Sequence, residues 1–129
     1  MRGTLIDTPE GQTPVEEIKE GMVVWTVNTV GERISAAVIK TATTPLPLIF
    51  GARKITLSDG RSLTASPGHP SADSRPLGSY QVGEILDGAS ITSVEDVVYT
   101  GVTFDLLPAG ATGEYWANGI LVKSTINIR

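Results

Sequence analysis

Lys54-Ile55-Thr56-Leu57-Ser58-Asp59-Gly60-Arg61-Ser62-Leu63-Thr64-Ala65-Ser66-Pro67-Gly68-His69-Pro70 is the stretch from which the rest of the chain can be read. Two short runs, 54–57 and 62–65, flank Ser58-Asp59-Gly60-Arg61, whose central Asp-Gly pair is a hairpin signal. The segment therefore predicts two antiparallel strands. Directly behind them comes Ser66-Pro67-Gly68-His69, which carries the only histidine of the chain. A Pro-Gly pair makes a tight turn, so the Ser66 hydroxyl and the His69 ring can converge on one point, such as a peptide carbonyl and its amide nitrogen. An imidazole is the natural proton carrier near neutral pH. The plainer alternative is a turn histidine whose ring bonds only to main chain.

Working outward, β-branched residues dominate the periodic segments, and glycine and proline punctuate them. Strands are predicted at 4–7, 22–28, 33–43, 54–57, 62–65, 89–98, 100–107, 115–117 and 120–123, with a further turn at 29–32. The prolines of Pro45-Leu46-Pro47 lack amide donors and so end a ladder. Helix is confined to two single turns, 14–20 and 81–86. In the first, Thr13 is the expected N-cap and Pro14 the first helical residue, with Glu16 and Glu17 at the positive end of the dipole. The fold class is all-β, with short and long bent strands and one or two short helical turns.

Bulk properties bound the rest. The 129 residues make one domain, 1–129, able to bury roughly two thirds of its unfolded surface. With 40% apolar and 19% charged residues the composition is globular. A net charge of -4 and no cluster of Lys and Arg argue against nucleic acid as a partner. No apolar run approaches the ~18 residues of a membrane span, and residues 1–20 lack a signal-peptide pattern, so no membrane partner is expected and the compartment stays open. The absence of cysteine excludes disulfides and thiolate metal sites, and one histidine makes no zinc cluster. No cofactor is expected, and a monomer is.

Val15-Glu16-Glu17-Ile18-Lys19-Glu20-Gly21 is matched in spacing by Val82-Gly83-Glu84-Ile85-Leu86-Asp87-Gly88. Each copy precedes a β-rich segment, so the chain is expected to form two halves about a pseudo-twofold axis. In each copy Val and Ile would pin a short helical turn on the sheet, and Gly21 or Gly88 would end it in a left-handed conformation.

The opening Gly3-Thr4-Leu5-Ile6-Asp7-Thr8-Pro9-Glu10-Gly11, followed by residues 14–21, resembles the first block of the Hint superfamily, the hedgehog and intein self-processing domains. Ser66-Pro67-Gly68-His69 resembles that family's T-x-x-H block with Ser in place of Thr. Thr103-Phe104-Asp105-Leu106 is similar to its late aspartate-bearing strand, and Tyr115-Trp116-Ala117-Asn118-Gly119-Ile120-Leu121-Val122 to its closing strands. The four blocks stand in order over the whole chain, and the bacterial intein-like type is the nearest in kind. What the resemblance implies is a Hint-like horseshoe and autoprocessing of a peptide bond. A nucleophile at the domain's first residue attacks the preceding carbonyl by an N-S or N-O acyl shift. His69 would protonate the departing amide nitrogen, Ser66 would hydrogen-bond the scissile peptide, and Asp105 would assist the nucleophile or the proton movement. These three are expected to converge near Met1, Gly3 and Thr4, with residues 123–125 alongside.

Departures from the pattern limit the chemistry. The family's cysteine would lie four residues ahead of Gly3, before Met1. Lys123 and Ser124 stand where a splicing domain ends in His-Asn. Serine forms no succinimide, and lysine replaces histidine at pH 7 only with a large pKa shift. The histidine before the closing strand is replaced by Gly113 or Glu114. Splicing is therefore not expected. Three possibilities stay open: N-terminal cleavage in a precursor that supplies Cys or Ser, a degenerate and inactive Hint module, or a β-rich binding domain. In any processing reaction the partner would be the flanking polypeptide in cis. Trp25, Trp116 and Tyr115 are read as packing residues, Asn118-Gly119 as a turn, and Asp105 as a charge in an apolar run that must be paired or functional.

Overall fold

The structure, a computed structural model, describes residues 1–47 and 50–126. Eleven strands are present among them: β1 (Leu5–Thr8), β2 (Gly11–Pro14), β3 (Val23–Val27), β4 (Arg33–Pro45), β5 (Phe50–Leu57), β6 (Ser62–Ala65), β7 (Ile85–Leu86), β8 (Ala89–Tyr99), β9 (Val102–Pro108), β10 (Glu114–Ala117) and β11 (Ile120–Lys123). Single 3₁₀ turns lie at Val15–Glu17 and Leu77–Ser79. The strands form three antiparallel sheets, ordered β11-β10-β1-β2, β3-β4-β9 and β6-β5-β8-β7.

Period-two burial explains why these residues make strands. In β1, β10 and β11 every second side chain is buried, and Ile6, Tyr115, Ala117, Ile120 and Val122 join Val24, Ile55, Leu57, Leu63 and Leu106 in one core. Burying a side chain such as Leu106 contributes about 1.5–3 kcal/mol, and Leu106 has no exposed surface. Tyr115 points inward and Trp116 is half-buried, as alternation requires. Trp25 is also half-buried, and the Arg33 guanidinium lies 4.6 Å from its ring centre and 4.9 Å from that of Trp116.

The pseudo-twofold is present, but its register is not the one the sequence match suggested. Val82 and Ile85 are exposed, whereas Val15 and Ile18 are buried. The true counterpart of Pro14-Val15-Glu16-Glu17-Ile18-Lys19-Glu20-Gly21 is Pro76-Leu77-Gly78-Ser79-Tyr80-Gln81-Val82-Gly83. Pro14 has φ -56 and ψ 139, and Pro76 has φ -59 and ψ 135. Val15 N–H donates to the Thr4 carbonyl at 2.8 Å, and Leu77 N–H to that of His69 at 2.9 Å. Gly21 N–H meets the Val38 carbonyl at 2.8 Å, and Gly83 N–H that of Ile91 at 2.9 Å. Both glycines have positive φ, +88 and +94, which is why the position takes glycine.

After these turns, β4 leaves its hairpin with β3 to pair with β9, while β8 pairs with β5. Each half thus lends a strand to the other. β8 and β9 follow one another in sequence but are not partners.

Other local expectations are corrected. Residues 81–86 are not helical: the second 3₁₀ turn falls earlier, and Ile85–Leu86 is a strand whose hairpin with β8 turns at Asp87 and Gly88, both at positive φ. Gly88 therefore closes a hairpin rather than a helix. Thr13 lies in β2 and Pro14 is itself the cap residue, with no side-chain cap, because the β1–β2 ladder already uses residues 11–14. The turn after β5 has Gly60 at positive φ but not Asp59, and Leu57 N–H bonds the Arg61 carbonyl. Ser58 and Asp59 form the corner and Gly60 the left-handed residue behind it. β5 starts at Phe50 rather than at 54, and β9 at Val102 rather than at 100, because cross-strand pairing with β8 and β4 extends or trims what local pattern suggests.

Candidate functional site

The 3₁₀ turn at Leu77–Ser79 is the seat of the histidine. Leu77 N–H bonds the His69 carbonyl, and Gly78 N–H bonds the Pro67 carbonyl at 2.7 Å. A Cβ at Gly78 would stand 2.7 Å from Pro67 Cβ and 3.0 Å from Pro67 O, so only glycine lets the turn sit this close. His69 N–H in turn bonds the Ser66 carbonyl at 3.0 Å, which closes the Ser66-Pro67-Gly68-His69 turn.

That turn forms one wall of a cleft of about 220 Å³. Met1 and Thr4 line it from the start of the chain, Ser66 and His69 from the turn, Asp105 from β9 and Thr125 from beyond β11. Gly3 is beside them, its N–H donating to Glu16 Oε1 at 2.8 Å. Burial pulls the His69 pKa below its usual value; the charge of Asp105 and the Lys123 main chain oppose this. The ring is therefore neutral at pH 7.

Asp105 is buried, and both its oxygens are engaged. Oδ1 accepts from Leu106 N–H at 2.8 Å and from the Tyr115 hydroxyl at 2.7 Å. Oδ2 accepts from Thr125 N–H at 2.7 Å and from the Thr125 hydroxyl. The Tyr115 oxygen lies 3.4 Å from His69 Nε2. Burial and the neighbouring carboxylate push the Tyr115 pKa well above the ordinary tyrosine value, so it remains a phenol.

Lys123 and Ser124 stand outside the cleft. The ammonium of Lys123 donates to Ser74 Oγ at 2.9 Å, and Ser124 Oγ accepts from Ile126 N–H at 3.1 Å. The segment enters the site with Thr125 instead. Sequence reasoning puts Thr125 alongside the site only as part of 123–125, and assigns neither it nor Tyr115 a role there. Alternation marked Tyr115 as a packing residue, and nothing local distinguishes Thr125 from the other threonines.

No protein-family model matches the chain, and no curated protein does. Solved structures do. A DnaB intein from Synechocystis sp. PCC 6803 superposes with a TM-score of 0.83 at 21% identity, over 98% of each chain. The chain has the Hint fold of inteins. A bacterial intein-like domain from Clostridium thermocellum matches with a TM-score of 0.81 at 20% identity over 95% of both chains. The gp41-1 intein follows with 0.71 at 22% identity over 94% of both. These likenesses agree with the horseshoe expected from the sequence blocks, and in this Hint fold the cleft lies where the two related halves meet.

Proposed function

We propose that this domain is a Hint-type autoprocessing unit that breaks the peptide bond joining it to polypeptide upstream, acting in cis as a monomer, without splicing. The supporting observation is the meeting of His69, Ser66 and the beginning of β1 in one cleft. A thiol or hydroxyl supplied ahead of Gly3 attacks the carbonyl carbon before it. The C–S or C–O bond forms, the C–N bond breaks, and the nucleophile's proton passes through His69 to the departing amide nitrogen. The neutral ring suits the first half of that transfer, since it must accept a proton before giving one. Ser66 lines the same cleft, and its hydroxyl is the one we assign to polarise the scissile carbonyl. A second thiol or water then attacks that thioester or ester, taking the acyl group and releasing the first nucleophile. Asp105 has no free lone pair for the nucleophile, so its part is to fix Tyr115 and Thr125. Lys123 and Ser124 carry neither an imidazole nor a cyclising amide and their side chains lie outside the cleft, so these two positions do not release a downstream segment by asparagine chemistry.

The test is a chain extended upstream by a reporter, with Cys four residues ahead of Gly3, incubated with thiol or hydroxylamine. Wild type is expected to break at the cysteine, and His69→Ala to do so about 10²-fold or more slowly, the usual worth of one general acid. Equal rates would remove His69 from the mechanism. An intact wild-type fusion would leave the inactive-module alternative.

A further inference from the structure

Two hydrogen-bond acceptors compete for the single proton of the Tyr115 hydroxyl, and their distances decide between them. Asp105 Oδ1 is 2.7 Å away and charged, whereas His69 Nε2 is 3.4 Å away and neutral. The carboxylate takes the proton. It cannot turn aside to release it, because Leu106 N–H holds the same oxygen and Thr125 holds the other through both its N–H and its hydroxyl. The phenol therefore offers His69 only a lone pair. A lone pair facing a second lone pair repels, so Nε2 must carry hydrogen, and a neutral imidazole has only one N–H.

We infer that Tyr115 is a positioning residue that selects the Nε2–H tautomer of His69 and leaves the Nδ1 lone pair as the site that accepts and returns the proton. The two rings meet edge to face, 79° between planes with centres 6.4 Å apart, so the phenol oxygen approaches the ring edge where Nε2 lies. Besides Asp105 and Tyr115, the α-amine of Met1 and the Lys123 main chain also face the imidazole. Lys123 is the competing partner: were its carbonyl to take a proton from Nδ1, the opposite tautomer would result. The bearing on peptide cleavage rests on the autoprocessing reading, but the tautomer itself does not.

The chain has one histidine, so ¹⁵N-histidine labelling gives a single imidazole, and its two nitrogen shifts at a pH above the ring's titration report the tautomer with no upstream fusion and no activity. The wild type is expected to show a protonated Nε2 and a bare Nδ1. Tyr115→Phe keeps the ring but removes the oxygen, and is expected to lower the ratio of Nε2–H to Nδ1–H by about threefold to tenfold, the range of one net hydrogen bond. A wild type in the Nδ1–H form overturns the inference even if the variant does not fold, and an unchanged ratio in folded Tyr115→Phe overturns it as well. Failure of the cleavage assay with the expected tautomer intact would count against autoprocessing and leave the role of Tyr115 standing.

Discussion

The turns Pro14 to Gly21 and Pro76 to Gly83 share a backbone path and most of their main-chain hydrogen bonds, yet they present different residues to the cleft. The first seats Thr4 and the second seats His69. One of the related positions that differ sets how closely each turn sits on its neighbour. Glu16 extends a carboxylate to Gly3 N–H, whereas Gly78 has no side chain and brings its bare backbone against Pro67. The fold thus supplies two equivalent supports, and what each supports is set by side chains. A hydroxyl residue next to the chain's start and an imidazole opposite it are what this pairing yields.

The largest expected effect tests the register of the two halves. Leu77 corresponds to Val15 and is buried, so Leu77→Ala should cost about 2–5 kcal/mol. Val82→Ala and Ile85→Ala, at the positions the sequence match had paired with Val15 and Ile18, should stay within about 0.5 kcal/mol. Urea unfolding of the three variants decides, and a costly Val82 would restore the sequence register.

Next comes the contact that distinguishes the two seats. Gly78→Ala forces a Cβ against backbone atoms of Pro67 and should cost about 1–3 kcal/mol, as overpacking does. It should also shift the amide resonances of residues 66–69. Glu16→Ala, which removes a hydrogen bond at the surface, should leave the melting temperature close to wild type. Similar losses in the two variants would mean that the seats are not so different.

The smallest effect is an acid sensitivity that the second seat shows just below neutral pH. In the first seat Glu16, held below its usual pKa by the Gly3 N–H, titrates only at lower pH. His69 is below its ordinary pKa of 6.5 because of burial. The unfolded chain therefore binds the proton first, and stability rises with pH through that window. The histidine costs no stability above 6.5, and as pH falls from there towards the lower folded value the protein weakens progressively. His69→Gln should remove this part of the slope in denaturation series run from neutral to mildly acid pH, while Thr4, which does not titrate, offers nothing comparable in the first seat. A slope unchanged in His69→Gln would show that burial does not depress this histidine.

Much of the fold is legible in the sequence because its cause is local. Residues 62–65 and 120–123 are strands with the expected bounds, since short runs of alternating burial end at turn residues on both sides. The short strand Ile85–Leu86 reads as helix in the sequence because a V-x-x-I spacing fits a helical turn as well as it fits two exposed positions, Val82 in a turn and Ile85 in a strand. The sequence match falls one motif too late for the same reason. Identity of letters favoured Val82 and Ile85, whereas the true match, Leu77 and Tyr80, shares only size, burial and a preceding proline.

In the candidate site the boundary is sharper. His69 and Ser66 could be singled out from one turn, and Asp105 as a charge in an apolar strand. Tyr115 reaches His69 across 46 residues and Thr125 reaches Asp105 across 20, and no periodicity encodes such a meeting.

By itself the sequence determined most of the strands and turns and the order of the blocks, because backbone preference and two-residue alternation act between neighbours; it missed the strands Gly11–Pro14 and Ile85–Leu86. Only the tertiary structure decided which halves correspond, which way the Lys123 and Ser124 side chains face, and which groups surround the imidazole. Those depend on strands exchanged between halves, and a hydrogen bond across such an exchange is fixed by distance in space, which residues far apart along the chain acquire only once the sheets have closed on one another.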